Sequence, residues 1–187
     1  SFFDDVPFVT DALAGPDPEH VGTVYSATLN GSFGNLSAPC SFRTVIPPAN
    51  LPPNPPAWWR MKVKAHAAES FTLSRLYAGE RYSGATGARA GFLVSMRIGG
   101  KLSALIPAGE SVWTDWRPVI WDRDHPPMVA GLSVGGANGD RLAANSGVAG
   151  AWTGHKFGDT AGSWNPAGYS SHPGYLSLIE AIETDGF

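Results

Sequence analysis

The chain has 187 residues, of which 43% are hydrophobic and 16% are charged, and its formal net charge is -3. A chain of this length can build one sizeable core, and its charge provides no basic field to attract nucleic acid or an anionic membrane surface. No apolar run approaches the roughly 20 residues of a membrane span and no signal peptide is visible, so we expect neither a nucleic-acid partner nor membrane insertion.

The first third of the chain predicts an arm, two strands and a stiff connection. Residues 1–20 mix apolar and acidic side chains with turn residues, which favours an extended N-terminal arm that packs on the body or on a neighbour. Strands are predicted at 23–29 and 41–46, separated by a turn-rich stretch at 30–35. The six prolines of residues 47–56 predict a polyproline-like crossover on the outside of the fold.

Polar and apolar residues alternate strictly after the proline-rich segment. Arg60, Lys62 and Lys64 alternate with apolar neighbours, which predicts a strand with one face in water. We interpret the basic stripe as a solubility feature of that face, with an anion-binding face as the alternative. A further strand is predicted at 71–77, and the glycine-rich segment at 79–91 is expected to be a loop.

Residues 92–134 carry apolar side chains at every second position, with breaks at glycine or proline. This period is typical of strands with one buried face. Turns are predicted at Gly99-Gly100 and at 107–110. The closing apolar run at 175–182 fits either a strand or a helix, and its period alone leaves both open.

The predicted elements define an all-β fold. We count about eight to ten strands and no long helix, which favours an antiparallel two-sheet β-sandwich, specifically a jelly roll, and excludes a doubly wound α/β fold. The domain is expected to span residues 21–187 as a single unit, with the arm at 1–20 outside it.

No catalytic motif is present. The chain lacks a nucleophile elbow, a phosphate-binding loop and a zinc-protease helix, so we assign no catalytic residue and expect no cofactor. Asp122 and Asp124 lie two residues apart beside His125, an arrangement in which a structural calcium ion is one interpretation and a simple turn is the favoured one. Glu180 and Glu183 are interpreted as charges at the rim of the closing strand.

Tryptophan is frequent, with seven copies in the chain. Sugars present C–H groups on one ring face and hydroxyls at the edge, so glycan sites pair a flat aromatic ring with short polar side chains. Five tryptophans lie in or beside predicted strands and are expected in the core, although adjacent rings at 58 and 59 must face opposite ways. These five are Trp58, Trp59, Trp113, Trp116 and Trp121.

The least regular part of the chain, residues 135–174, carries the remaining tryptophans. Aromatic rings stand there among small polar side chains, which favours a saccharide site with stacking rings and hydrogen-bonding neighbours; core packing of these rings is the alternative. The predicted ligand-binding residues are Trp152, Trp164, Asn165, Tyr169, Ser170 and His172.

The segment at 106–115 carries an Ile-Pro-Ala-Gly turn followed, at its end, by Thr114 and Asp115. It resembles the jelly-roll modules of phage tail fibres and of the head spikes of phages and gene transfer agents, which also precede some SGNH-type hydrolase domains. Supporting segments span 73–183, whereas Thr114 and Trp116 depart from the usual serine and proline. No catalytic residue is carried over, because the matching positions are scaffold.

The resemblance implies a protein of the virion surface or the extracellular space that adheres to bacterial polysaccharide, often as a homotrimer. We therefore expect non-enzymatic binding of a bacterial surface glycan, such as a capsule, by a fibre or spike protein that docks on other virion proteins through residues 1–20. The alternatives are a structural virion protein without a ligand, a carbohydrate-binding module of a secreted glycan-active enzyme, and an enzyme such as a depolymerase or esterase on the same scaffold.

Overall fold

The computed structural model describes residues 15–36, 39–83, 89–90, 93–119, 121–122, 124–133, 140–161 and 168–187. Across these ranges the chain is all-β and contains no α-helix; a short 3₁₀ turn, Pro18–His20, precedes the strands. No helix in these ranges is long and apolar enough to cross a bilayer. The strands are β1 (Gly22–Ser26), β2 (Gly31–Leu36), β3 (Cys40–Val45), β4 (Trp58–Lys64), β5 (Phe71–Ser83), β6 (Arg89–Ala90), β7 (Val94–Ser95), β8 (Ala104–Ile106), β9 (Ser111–Trp113), β10 (Arg117–Pro118), β11 (Pro127–Ser133), β12 (Asp140–Asn145), β13 (Trp152–Phe157), β14 (Ser170–Pro173), β15 (Leu176–Ser177) and β16 (Ile179–Thr184).

The strands pair into three antiparallel sheets. The first sheet has the order β1-β16-β4, with β9 and β10 both on the far edge of β4. The second has the order β14-β13-β3-β11-β5, with β6, β7 and β8 paired to β5. The third consists of β15, β12 and β2. Several antiparallel sheets around shared apolar contacts are consistent with a β-sandwich.

All three sheets contribute to the larger core cluster of the described residues. In β4 buried and half-buried residues alternate along the whole strand, so that Trp59, Met61 and Val63 point inward. The indole of Trp59 meets that of Trp121 edge to face, with ring centroids 5.2 Å apart. Trp58 is half-buried, so the two adjacent rings do face opposite ways, as the sequence predicts.

The proline-rich segment connects two sheets. It leaves β3 in the second sheet and enters β4 in the first, without a helix or strand of its own. The backbone N–H of Ala49 donates to the carbonyl of Val24 at 3.0 Å, and that of Asn54 donates to the carbonyl of Gly186 at 3.0 Å. These bonds tie the crossover to the middle of β1 and to the chain that follows β16.

Two predicted turns are confirmed. Gly99 and Gly100 both have positive φ, and their N–H groups donate to the carboxylate of Asp115 at 3.0 and 2.7 Å. The turn that ends at Glu110 is closed by its N–H donating to the carbonyl of Pro107 at 3.0 Å. Asp115 lies between β9 and β10 and joins that short connection to the Gly99-Gly100 turn.

Three segments that we predicted to be irregular contain strands, because pairing with neighbouring strands outweighs the turn-forming composition of the segments. The turn-rich stretch at 30–35 is strand β2, which pairs with β12. The predicted loop at 79–91 instead continues β5 as far as Ser83, because Gly79 and Glu80 pair with β11. The segment at 135–174 contains β12, β13 and β14, and the closing run is strand, not helix.

Other expectations fall partly outside the described residues. Most of the predicted arm, residues 1–14, lies outside them, and so do Trp164 and Asn165.

Cys40, the single cysteine, is buried.

Asp122 forms a turn in the structure. Its Oδ1 accepts the N–H of Asp124 at 3.0 Å, and its Oδ2 lies 3.3 Å from Nδ1 of His125. Its own N–H donates to Oε2 of Glu80 at 2.8 Å. These contacts support the turn interpretation. In the described part of the chain, no group of three or more His, Cys, Asp or Glu side chains is placed to hold a metal ion.

Candidate functional site

The described members of the predicted ligand site do not converge. Trp152 pairs with Pro173 and His172 pairs with Thr153 across β13 and β14. Because successive residues of a strand point to opposite faces, Trp152 lies on one face of the sheet, while His172 and Ser170 lie on the other. The four described members therefore cannot act on one ligand.

Trp152 packs against its own sheet. Only 6% of it is exposed, and it clusters with Val45 and Tyr169. The indole lies over Gly154, where an added Cβ would overlap its six-membered ring. Its Nε1 donates to Oγ of Ser171 at 2.7 Å. At 6% exposure Trp152 offers little ring surface on which a sugar could stack, so its predicted role in binding finds no support in this geometry.

Tyr169 is also buried, at 8% exposure. Its ring lies 4.8 Å from the guanidinium carbon of Arg43, and its hydroxyl is 3.0 Å from Oγ1 of Thr160. Burial lowers the pKa of Arg43, an effect that Tyr169 partly offsets. The ring therefore covers a buried cation instead of offering a face to a ligand.

On the opposite face, His172 stacks with His155. Their ring centroids are 5.2 Å apart, and Nε2 of His172 lies 3.3 Å from Nδ1 of His155. Both rings also meet Phe33 edge to face. Ser170 is exposed beside them. His155 also meets the ring of Phe157 edge to face, with ring centroids 5.9 Å apart, so the exposed ring beside this cluster is that of Phe157 and not that of Trp152 or Tyr169.

A shallow groove of about 550 Å³ lies beside Trp152, bounded by the loop at 147–151, Arg81, Pro173 and Gly174. It presents glycine, alanine and proline next to the covered edge of Trp152. This Trp152 groove offers few polar side chains to orient a ligand.

The outer face of the first sheet holds a second groove, of about 370 Å³. Its floor is Ala181 on β16, which pairs with Ser26 of β1 on one side and with Lys62 of β4 on the other. An alanine between longer neighbours leaves a hollow on the sheet surface. This Ala181 groove is lined by Thr23, Ser26, Ala27, Thr28, Lys62, Trp113, Glu180, Ala181 and Glu183.

Trp113 supplies the flat ring of the Ala181 groove. It lies opposite Lys62 in the pairing of β9 with β4 and is half-buried. The guanidinium carbon of Arg60 lies 4.4 Å from its ring centroid and 4.8 Å from that of Trp116. The same guanidinium donates from Nε to Oε2 of Glu183 at 2.6 Å. Arg60 therefore holds one acid and two indoles in fixed positions.

Glu180 is the second acid of the groove and is held by two donors. Oγ of Ser111 donates to its Oε2 at 2.7 Å, and Nζ of Lys64 lies 3.2 Å from its Oε1. Burial raises the pKa of Glu180, but the bonds from Ser111 and Lys64 outweigh that effect, so the pKa lies below its ordinary value. The carboxylate stays ionised and accepts hydrogen bonds.

We did not predict this site from the sequence, although the alternation along β4 indicates one of its faces. Trp113 and Trp116 are half-buried on the outer face, so their predicted place in the core is wrong. The interpretation of Glu183 as a plain rim charge missed its bond to Arg60. The alternation of β4 indicates that Arg60, Lys62 and Lys64 share one face. Which strands lie beside that face is known only from the strand pairing of the structure.

No known protein-family model matches the chain, and no curated protein is similar to it at a significant level.

Proposed function

We propose that the protein binds a saccharide without catalysis and that the Ala181 groove is the binding site. The observation that carries the proposal is the half-buried ring of Trp113, which packs against Arg60 and borders an open hollow edged with hydroxyls and charged groups. A sugar ring can lay its C–H face on the indole while its hydroxyls meet the polar edge.

The polar edge offers both donors and acceptors. Thr23, Ser26 and Thr28 form one wall with their hydroxyls, and Glu183 and Lys62 lie across the floor. Sugar hydroxyls donate and accept at once, so such a mixed lining suits them. Glu183 is held by Arg60, so its position is set before a ligand arrives.

The ionisation of Glu180 supports binding over hydrolysis. Glycoside hydrolysis uses a carboxylic acid whose pKa is raised so that it can protonate the leaving oxygen. The pKa of Glu180 is lowered instead, and both of its oxygens are engaged by Ser111 and Lys64.

We propose further that the saccharide is a bacterial surface polysaccharide such as a capsule. The protein would then be a jelly-roll fibre or spike of a phage or gene transfer agent, displayed on the virion surface as a homotrimer and docked through residues 1–20. The Ile-Pro-Ala-Gly turn and the all-β fold support this setting. Multivalent display would turn weak contacts at each groove into firm adhesion.

The test is binding to an immobilised panel of bacterial capsular polysaccharides and O-antigens. We expect the wild-type protein to bind at least one member and Trp113→Ala to weaken that binding roughly tenfold or more, since burying a ring contributes about 1.5–3 kcal/mol. The matched control is Phe157→Ala, which removes a ring that is 58% exposed on β13 of the second sheet.

Thermal denaturation of both variants shows that each remains folded. If the wild type binds no polysaccharide of the panel, the binding function is wrong and a structural virion protein becomes the better proposal. If Trp113→Ala binds as tightly as the wild type, the function stands but the site lies elsewhere. Shortening of the bound polymer during incubation would instead favour an enzyme.

A further inference from the structure

We infer that the saccharide of the Ala181 groove carries a carboxylate, as a uronic acid does, and that Lys62 binds it. This inference rests on the function proposed above and names the chemical class of its ligand. It depends on the order in which charges face one another across β16, β4 and β9.

Three cations occupy the outer face of β4 at alternate positions, and two of them have acids. Arg60 pairs across the sheet with Glu183, and its Nε lies 2.6 Å from Oε2. Lys64 lies 3.2 Å from Glu180. The middle cation, Lys62, faces Ala181, so the register places a methyl group opposite Lys62 where Arg60 has the carboxylate of Glu183.

The contacts of Lys62 leave its charge available to a ligand. In the part of the chain that the structure describes, no carboxylate lies within ion-pair distance of its Nζ. Its Nζ lies over the ring of Trp113, 6.0 Å from the ring centroid, at the outer limit of a cation–π interaction. The ammonium is therefore within reach of an acidic group on a sugar bound at Trp113.

Among the residues that line the groove, Glu180 and Glu183 carry negative charges that are already engaged by Lys64 and Arg60 beside the groove, and Lys62 carries a positive charge. Counted together, these three cations and two acids sum to one positive charge. A neutral sugar would leave the ammonium of Lys62 partly desolvated without a partner, which costs free energy. A carboxylate on the same sugar ring removes that cost and forms a charge-assisted hydrogen bond.

The geometry also sets the arrangement of the ligand. Trp113 and Lys62 are direct cross-strand neighbours, so the apolar face and the acidic group must belong to the same or the adjacent sugar residue. The overall charge of -3 on the chain does not oppose this, because charges beyond about 8 Å are largely screened at physiological salt.

The experiment uses the polysaccharide of the panel that the wild-type protein binds most tightly, compared with the same polymer after chemical reduction of its carboxyl groups to alcohols. Reduction keeps the rings and linkages and removes the charge. We expect the reduced polymer, and separately Lys62→Gln with the intact polymer, to bind about three- to tenfold more weakly. Lys62→Arg should restore most of the affinity.

The matched control is Lys101→Gln, which removes an exposed cation from a turn outside the groove. It should bind the intact polymer as the wild type does. If the tightest-binding polysaccharide is neutral, or if its binding is unchanged by carboxyl reduction and by Lys62→Gln, the inference is overturned while the saccharide-binding function stands. If the wild type binds no polysaccharide of the panel, the proposed function itself fails.

Discussion

Lys62 and Ala181 are direct cross-strand partners in the antiparallel pairing of β4 with β16. This one pair gives the first sheet both its hollow and its cation without a carboxylate partner, because alanine fills neither the space nor the charge. The flanking pair, Arg60 with Glu183, closes the sheet surface on one side of the gap. The proposed site therefore lies where a cation of β4 has an alanine and not a carboxylate as its cross-strand partner.

Filling the hollow should abolish binding without unfolding the protein. Ala181→Leu places a branched side chain on the groove floor, and we expect loss of polysaccharide binding with a stability cost of about 1–3 kcal/mol, since Ala181 is only 7% exposed and its neighbours must shift. The comparison variant is Ala149→Leu, which fills the Trp152 groove instead. If Ala149→Leu loses binding and Ala181→Leu keeps it, the binding site is the Trp152 groove and not the Ala181 groove.

Gly154 should be required by the ring of Trp152. An alanine Cβ at 154 would overlap the indole, so Gly154→Ala is expected to lower the free energy of unfolding by about 1–3 kcal/mol. Chemical denaturation measures the cost, and a double-mutant cycle with Trp152→Leu assigns it to the contact. Equal costs of the alanine in both backgrounds would show that the indole is not the cause.

The Asp122 turn should depend on a hydrogen bond and not on a metal. Asp122→Asn keeps an acceptor for the N–H of Asp124 and should leave the melting temperature nearly unchanged, whereas Asp122→Ala should cost about 0.5–1 kcal/mol. Calcium and a chelator are added in parallel to each protein. A melting temperature that rises with calcium in the wild type but not in Asp122→Asn would establish a metal site.

The pair of His155 and His172 should make stability depend on pH. Burial lowers the pKa of His155 below 6.5, and the charge of His172 lowers it further. The unfolded chain therefore binds a proton at His155 at a pH where the folded chain does not, so this residue reduces the free energy of unfolding as pH falls from about 6.5 to the folded pKa.

The measurement is the difference in the free energy of unfolding between the wild type and His155→Gln as a function of pH. This difference should shift against the wild type as the pH drops through that window and become constant below it. A difference that does not vary with pH would contradict the assigned pKa shift.

Period-two alternation was enough to predict the all-β class and many of the strands, because one-sided burial is written directly into neighbouring residues. The Gly99-Gly100 turn was predictable because two adjacent glycines interrupt that alternation and readily adopt positive φ. Strand β2 was not, since its Asn and Gly residues favour turns and only pairing with β12 holds it extended. The extension of β5 past Gly79 likewise depends on β11.

The site was harder to predict than the fold. The sequence shows that Trp152 lies among polar residues, but only the register of β13 and β14 shows that His172 points the other way. Conversely, Trp113 and Ala181 are separated by 68 positions in the printed sequence, and nothing local indicates that both adjoin Lys62. Contacts across several strands are set by the global pairing, which a single sequence does not reveal.

The most direct test of the proposed site is a ¹H–¹⁵N NMR titration with an oligosaccharide prepared from the polysaccharide that binds most tightly. The account predicts chemical-shift changes at the indole N–H of Trp113 and at the backbone amides of Ser26, Lys62 and Ala181, with little change on β13 and β14. Changes confined to the loop at 147–151 and to Trp152 would contradict it.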